Sequence, residues 1–144
     1  MSSGTAVLDK QPLNLSAAQW QAIVQHLRRE LPNEACGLLG GIRGVVQKVY
    51  LIENELHSPS AYQMKPQAQV RAMLEMENNG WELCGIFHSH PHGLPVPSAS
   101  DVAQAYYPEA VYLICAPGEQ GEWRRRGFKI EAGQVTEVEI KLEG

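Results

Sequence analysis

The chain has 144 residues and a net charge of −4 at neutral pH, with 44% hydrophobic and 19% charged residues. This size and composition predict a single soluble domain over 1–144 that buries a core without disulfide bridges. The acidic balance argues against a nucleic-acid partner, which needs a basic face, and no run approaches the ~18 apolar residues of a membrane helix.

The amino-terminal part predicts a short strand followed by an amphipathic helix. Residues 1–11 lack a signal-peptide pattern and are expected to form a flexible leader. Leu13–Leu15 alternate as a strand does, and Ser16 is placed to cap a helix that Pro32 stops. The apolar face of this helix is predicted from helical spacing to comprise Trp20, Ile23, Val24, Leu27 and Leu31.

The middle of the chain predicts a hairpin, a helix and a strand. The apolar run 35–40 suits a buried strand, and the run 45–53 is β-branched and alternating. The turn between them is assigned to Gly40, Gly41 and Gly44. Pro66 can begin a helix over 67–79, and 81–88 is again an apolar strand.

The remaining elements complete a mixed α/β pattern. Residues 91–97 contain three prolines and one glycine and predict a stiff loop. A helix is expected over 98–107, a buried strand over 110–116, and a last hairpin of 123–130 and 134–142 around Gly133. Strands and helices alternate irregularly, so the predicted fold is a central mixed sheet flanked by helices.

Three cysteines point to a reducing compartment. Cys36, Cys84 and Cys115 are odd in number, widely spaced and without a C-x-x-C pair, so neither a zinc ribbon nor a redox motif is present. They are interpreted as small buried hydrophobic residues, and the chain is expected to be cytoplasmic.

A histidine pair is the strongest chemical signal. In an extended chain His88 and His90 share one face, and Pro91 favours the extended backbone at His90. Asp101 follows in the first turn of the predicted helix, and the stiff loop could bring it back to the strand end. Two nitrogen ligands and one carboxylate with an open fourth position are typical of catalytic zinc, although iron or manganese would also accept them.

Structural interpretations compete for each residue taken alone. A lone H-x-H is often a surface strand pair, and Ser98 with Asp101 resembles a capping box. Glu34 could be a solvated acid after a helix. The other histidines and a basic run are assigned ordinary surface roles: His26 on a helix surface, His57 in a turn, His92 in a loop, and Arg124–Arg126 along a solvent-facing strand.

The joint pattern resembles a known family. Glu34 is followed by H-x-H-x7-S-x-x-D, made by His88, His90, Ser98 and Asp101, which matches the motif of the JAMM (MPN-plus) metalloproteases without a departure. The resemblance covers most of the chain, from the Trp20 helix to the strand over 110–116. It implies a fold similar to that of the cytidine deaminases, although the deaminase P-C-x-x-C signature is missing.

The resemblance also implies roles for these residues. It implies one zinc ion held by His88, His90 and Asp101, with Glu34 as the general base that takes a proton from water and passes it to the leaving amine. Ser98 would help to stabilise the oxyanion.

The family cleaves bonds after the terminal glycines of ubiquitin-like proteins, and this short chain is most similar to stand-alone bacterial members. The implied substrate is a small sulfur-carrier protein of ubiquitin fold with a Gly-Gly tail, from which the enzyme releases cysteine or trims masking residues. Alternatives are an inactive MPN scaffold and a metallohydrolase of a non-protein amide.

Overall fold

The computed structural model describes residues 11–144, so the expected leader over 1–11 lies outside the described residues except for Gln11. The first strand and helix form as predicted. Ser16 closes a capping box, because its Oγ accepts the N–H of Gln19 at 3.0 Å while Oε1 of Gln19 accepts the N–H of Ser16 at 2.9 Å. The helix ends at Glu30, so Leu31 lies outside it and is exposed, contrary to the prediction.

Eight strands and three helices make up the described chain, and the predicted mixed α/β class is confirmed. In chain order they are β1 Leu13–Ser16, α1 Ala17–Glu30, β2 Cys36–Ile42, β3 Val45–Ile52, α2 Pro66–Asn78, β4 Glu82–Ser89, α3 Ala99–Ala103, β5 Val111–Pro117, β6 Trp123–Glu131, β7 Gln134–Val138 and β8 Ile140–Glu143. The strands form one sheet in the order β7-β6-β5-β4-β2-β3-β1-β8. The pair β4–β5 is parallel, and so are the pairs of β1 with β3 and β8.

The hairpin between β2 and β3 turns at Arg43 and Gly44, which both have positive φ. Gly40 and Gly41, predicted to lie in the turn, belong to β2, where the register shifts by a bulge. A Cβ at Gly41 would lie 2.0 Å from the carbonyl oxygen of Val45, so close backbone approach, rather than a turn, requires glycine there.

Two predicted elements are shorter than expected. Helix α3 ends at Ala103 instead of Tyr107. The helical conformation is disfavoured at Tyr107 because this residue precedes Pro108. The backbone N–H of Tyr107 donates instead to Oη of Tyr112 at 3.1 Å. The predicted strand over 134–142 breaks at Glu139. Its first half pairs with β6 and its second half pairs with β1.

Each face of the sheet is buried by a helix. The apolar residues of α1 and of β1 pack on one face with Leu39, Phe87 and Leu113. On the other face Met76 of α2 packs with Leu38 and Ile114. Successive residues of a strand, such as Leu38 and Leu39, thus pack on opposite faces, as expected for a sheet that is covered on both sides. In the part of the chain that the structure describes, no helix is long and apolar enough to cross a membrane.

The carboxyl ends of β4 and β5 lie side by side, because these strands are parallel and Ser89 pairs with Cys115. The start of β2 lies on the other side of β4, with Cys36 opposite His88. The loop 90–98 and the start of α3 follow β4 directly. The sequence motif is therefore gathered at one end of the sheet.

Candidate metal centre

His88, His90 and Asp101 form one compact cluster. The two Nε2 atoms are 3.0 Å apart, and each lies 3.1 Å from an oxygen of Asp101, Oδ1 for His88 and Oδ2 for His90. One ligand atom from each residue lies within 4.8 Å of the other two, as a common metal ion requires. The structure thus brings together the three residues that the sequence singled out as metal ligands.

The tautomer of His90 shows that this cluster suits a cation. Nδ1 of His90 lies 2.8 Å from the carbonyl oxygen of Leu94, which can only accept, so Nδ1 carries the proton. In the neutral ring Nε2 is then a bare lone pair aimed at a carboxylate oxygen and a second imidazole. Burial lowers the pKa of His90, but its hydrogen bonds to Asp101 and Leu94 outweigh this and raise it, so a proton holds these atoms together until a cation replaces it. A carbonyl that fixes the opposite nitrogen is the usual outer contact of a metal-bound histidine.

On the side of Nδ1, His88 is held by packing alone. Its side chain is 1% exposed, and its Nδ1 has no hydrogen-bond partner among the described residues. The ring of Tyr62 stacks on it at 4.6 Å between centroids and 27° between planes. Burial lowers the pKa of His88, so the ring is neutral near pH 7 and available as a ligand.

Asp101 is positioned by the first turn of α3. Its Oδ2 accepts the backbone N–H of Ser98 at 2.9 Å, and its own N–H donates to Oγ of Ser98 at 3.0 Å. Burial opposes ionisation, but hydrogen bonds to His88 and His90 outweigh it and hold the pKa of Asp101 well below its usual range. The same side chain closes the capping box and belongs to the candidate metal cluster, so the two interpretations of Asp101 are compatible.

Glu34 lies beside the metal cluster. Extending the β2–β4 register from Cys36 opposite His88 places Glu34 opposite His90. The residue is only 6% exposed. Glu34 is therefore a buried acid next to the metal site and not the solvated loop acid of the alternative interpretation.

Burial sets the protonation of this acid. The pKa of Glu34 is raised to about 7, chiefly by burial, while the charge of His90 lowers it and that of Asp101 raises it. A carboxyl group with this pKa exchanges protons near neutral pH, which is the property a general acid–base residue needs.

Two positioning residues, Ser89 and Asn54, escaped the sequence analysis. Oγ of the fully buried Ser89 accepts the N–H of Ala35 at 2.8 Å, and the N–H of Ser89 donates to the carbonyl of Ala35 at 3.0 Å. Nδ2 of Asn54, also fully buried, donates to the carbonyl of Glu34 at 3.0 Å. Ser89 therefore fixes the segment that carries Glu34 against the strand of His88, and Asn54 fixes this segment against the residues that follow β3.

Asn54 also organises the segment that carries Tyr62. Its Oδ1 accepts the N–H groups of Leu56 and Gln63, both at 3.1 Å, and its Nδ2 reaches the carbonyl of Ala61. Buried polar groups require such partners. An asparagine directly after a predicted strand is a common turn residue, so sequence alone gives no sign of this role.

A pocket of about 170 Å³ opens beside the cluster. His88 and Asp101 reach it, and its remaining wall is uncharged, with Tyr62, Gln69 and Gln104 among the lining residues. Substrate atoms can therefore approach the cluster from a cleft whose other residues are uncharged and largely apolar.

The other three histidines lie outside the cluster. His26 was expected on a helix surface but is buried, where its Nε2–H donates to the carbonyl of Cys36 at 3.1 Å. His57 has positive φ and is exposed, as a turn residue can be. His92 lies exposed in the loop after Pro91.

Comparison with known proteins identifies the relatives of this fold and site. The family model described as "Prokaryotic homologs of the JAB domain" matches residues 16–129. The desampylase of Haloferax volcanii is 36% identical over 138 residues, covering 91% of this chain and 96% of the relative. The CysO-cysteine peptidase of Mycobacterium tuberculosis is 31% identical, covering 84% of both chains.

A third relative and two solved structures agree. The probable TtuB-protein conjugate cleaving protease of Thermus thermophilus is 41% identical, covering 80% of this chain and 74% of the relative. A solution structure from Desulfitobacterium hafniense superposes with a TM-score of 0.81 at 38% identity, covering 91% and 92% of the two chains. A JAB1/MPN domain protein from Archaeoglobus fulgidus shares the fold, with a TM-score of 0.57 at 18% identity and coverage of 90% and 99%.

Proposed function

Because the chain belongs to the family of prokaryotic homologs of the JAB domain, we propose that it uses zinc to hydrolyse the bond after the C-terminal glycine of a ubiquitin-like carrier. The chain is a JAMM-type peptidase acting on ubiquitin-like protein conjugates, an activity supported by its similarity to a desampylase, a CysO-cysteine peptidase and a probable TtuB-protein conjugate cleaving protease. The finer proposal is that the carrier is a small sulfur-carrier protein with a Gly-Gly tail. The relatives' names describe two leaving groups, cysteine and a conjugated protein, and both are compatible with this proposal.

One observation carries the proposal: a metal-competent cluster, two of whose residues line a pocket, lies beside a buried acid. Nε2 of His90 has no proton in the neutral ring, because its Nδ1–H is committed to Leu94. Glu34 lies next to this histidine with a pKa raised by burial to about 7. A hydrolase needs both an electrophilic centre and a base that works at neutral pH.

In this proposal His88, His90 and Asp101 hold the zinc, leaving one position open. When bound, zinc supplies Lewis acidity, which activates water and polarises a carbonyl group. Glu34 accepts a proton from the attacking water and delivers it to the departing amine nitrogen. Its site beside His90 keeps it at the reacting bond, while Asn54 and Ser89 prevent its strand from shifting.

Ser98 supplies a hydroxyl donor for the oxyanion. Its Oγ already accepts the N–H of Asp101, which leaves the hydroxyl hydrogen free to donate to a substrate oxygen. Replacing Ser98 with Ala should lower turnover by about 10²–10³-fold, as loss of an oxyanion donor does. The lost cap should cost only about 0.5–2 kcal/mol of folding free energy. Measurements of kcat, KM and melting temperature check this prediction.

Two further variants separate the roles of Ser98. Ser98→Thr keeps both the cap and the hydroxyl, so it should restore most of the turnover, while Ser100→Ala removes an exposed hydroxyl from the same helix as a control. If Ser98→Ala melts several degrees lower but turns over normally, Ser98 is only a helix cap.

Substrate choice should depend on the two terminal glycines of the carrier. A side chain next to the cluster would push the scissile carbonyl away from it, and a displacement of ~1 Å at a reacting centre can cost about 10²-fold. We therefore expect matched carriers ending Gly-Ala-X and Ala-Gly-X to react about 10²-fold more slowly than Gly-Gly-X. Comparing the three turnover rates tests the proposal, and equal rates would replace it by a general peptidase.

The cysteines support a cytoplasmic location. Cys36, Cys84 and Cys115 are all buried and unpaired, and burial raises the pKa of each thiol. Buried thiols that form no disulfide suit a reducing compartment.

A further inference from the structure

Strand β6 has an unpaired edge at the end of the sheet that carries the metal centre. It pairs with β7 only from Gly127 to Glu131, because the chain leaves β7 at Val138 and β8 joins β1 instead. Within residues 11–144, Trp123–Arg126 therefore have a neighbouring strand only on the side of β5. Free N–H and C=O groups on such an edge are a template for an added strand.

A groove of about 710 Å³ runs along this edge. It is lined by β6, by the segment Leu94–Val96 and by residues 137–140. The carbonyl of Leu94 accepts the Nδ1–H of His90, so the groove and the metal centre share this loop. A segment bound in the groove would therefore lie next to the reacting bond.

The two faces of the β6 edge differ in chemistry. Arg124 and Arg126 project to one face, where Glu137 pairs with Arg126 at 2.7 Å. Arg124 is exposed and has no ion pair with the described residues. On the other face Trp123 and Ile140 are half-buried and pack against the apolar core that includes Val138. Arg125 also lies on this face, where it stacks on the ring of Trp20.

We propose that the free edge of β6 binds an extended acidic segment of the conjugate by strand addition. The segment has acidic side chains on the face of Arg124 and apolar side chains on the face of Trp123. The assignment of the segment to the conjugate rests on the function proposed above. The glycine tail itself does not meet this requirement, because it has no side chains to match the two faces.

Geometry and charge both favour this occupant. Residues opposite each other on paired strands lie about 4.5–5.5 Å apart, so every second residue of the segment would face Arg124 or Arg126. The whole chain has a net charge of −4, yet the groove is lined by three arginines and only two glutamates, Glu137 and Glu139. The groove therefore discriminates against basic segments and selects acidic ones.

The test uses capped hexapeptides and the full-length chain. A Glu-Val-Glu-Val-Glu-Val peptide should shift the amide resonances of Trp123 and Arg125 and slow the hydrogen exchange of these amides. The matched Lys-Val-Lys-Val-Lys-Val peptide should not. Arg124→Glu should weaken binding of the acidic peptide about tenfold, because it replaces an attraction with a repulsion. Arg71→Glu reverses the charge of an exposed arginine on α2, distant in sequence from the groove, and should leave the affinity unchanged.

Two results would overturn this inference: equal binding of the two peptides, or resonance shifts that map outside Trp123–Arg126 and Leu94–Val96. The measurement does not involve hydrolysis. If the acidic peptide binds at β6 but the protein cleaves no conjugate, only the proposed function is refuted. If the protein cleaves conjugates but does not bind the peptide, only the proposal for the β6 groove is refuted.

Discussion

Replacing Glu34 with Gln should abolish nearly all hydrolysis while leaving the fold and the metal site intact. The amide has almost the same shape but cannot take a proton from water, and a positioned acid–base group contributes about 10²–10⁴-fold to the rate. The loss should appear in kcat, with KM changed little, because the proposed role of Glu34 is in the reaction and not in binding. Turnover of a Gly-Gly-X carrier at saturating substrate measures it.

Folding is the control for this variant. The pKa of Glu34 is raised by burial from 4.5 to about 7, so ionisation of Glu34 destabilises the metal-free fold increasingly as the pH rises above 4.5. A neutral Gln removes this cost, and metal-free Glu34→Gln should melt no lower than the parent at pH 8. Glu55→Gln, an exposed acid in the segment after β3, should retain full activity. Turnover of Glu34→Gln within a few-fold of the parent would mean that another residue is the base.

The second large effect is expected at the metal ligands. The parent should contain about one zinc ion per chain, because three ligands with an open position define one site. His88→Ala and Asp101→Ala should lose this ion, and with it several kcal/mol of transition-state stabilisation, or roughly 10³-fold in rate. Elemental analysis of the purified proteins and the same turnover assay provide both measurements.

His92 offers a matched control for the ligand variants. It lies two residues from His90 but is exposed and outside the cluster, so His92→Ala should keep both zinc and activity. Full zinc content in both His88→Ala and Asp101→Ala would contradict the metal assignment.

The parts of the site that sequence could predict are those fixed by local spacing. His88 and His90 share a face because an extended backbone alternates, and Ser98 with Asp101 forms a one-turn capping box. Ser16 caps α1 for the same local reason. In each case the interacting residues lie within three positions of each other, so their spacing in the sequence is enough to predict their relative positions.

What the sequence could not predict depends on long-range packing. His26 looks like a surface residue on α1, but it is buried because the start of β2 offers its nitrogen a carbonyl acceptor at Cys36. The predicted strand breaks at Glu139 because the residues after it pair with β1 and no longer with β6. Asn54 acquires its role only after β3, the segment 55–63 and Glu34 have come together.

The most direct test of the central claim is the intact mass of a ubiquitin-fold carrier extended past Gly-Gly, after incubation with the protein. The account predicts one cleavage, directly after the terminal glycine. Cleavage should stop when a chelator removes the metal and return when zinc is added. Cleavage that persists in the chelated protein, or an uncleaved carrier with the zinc-loaded parent, would contradict the account.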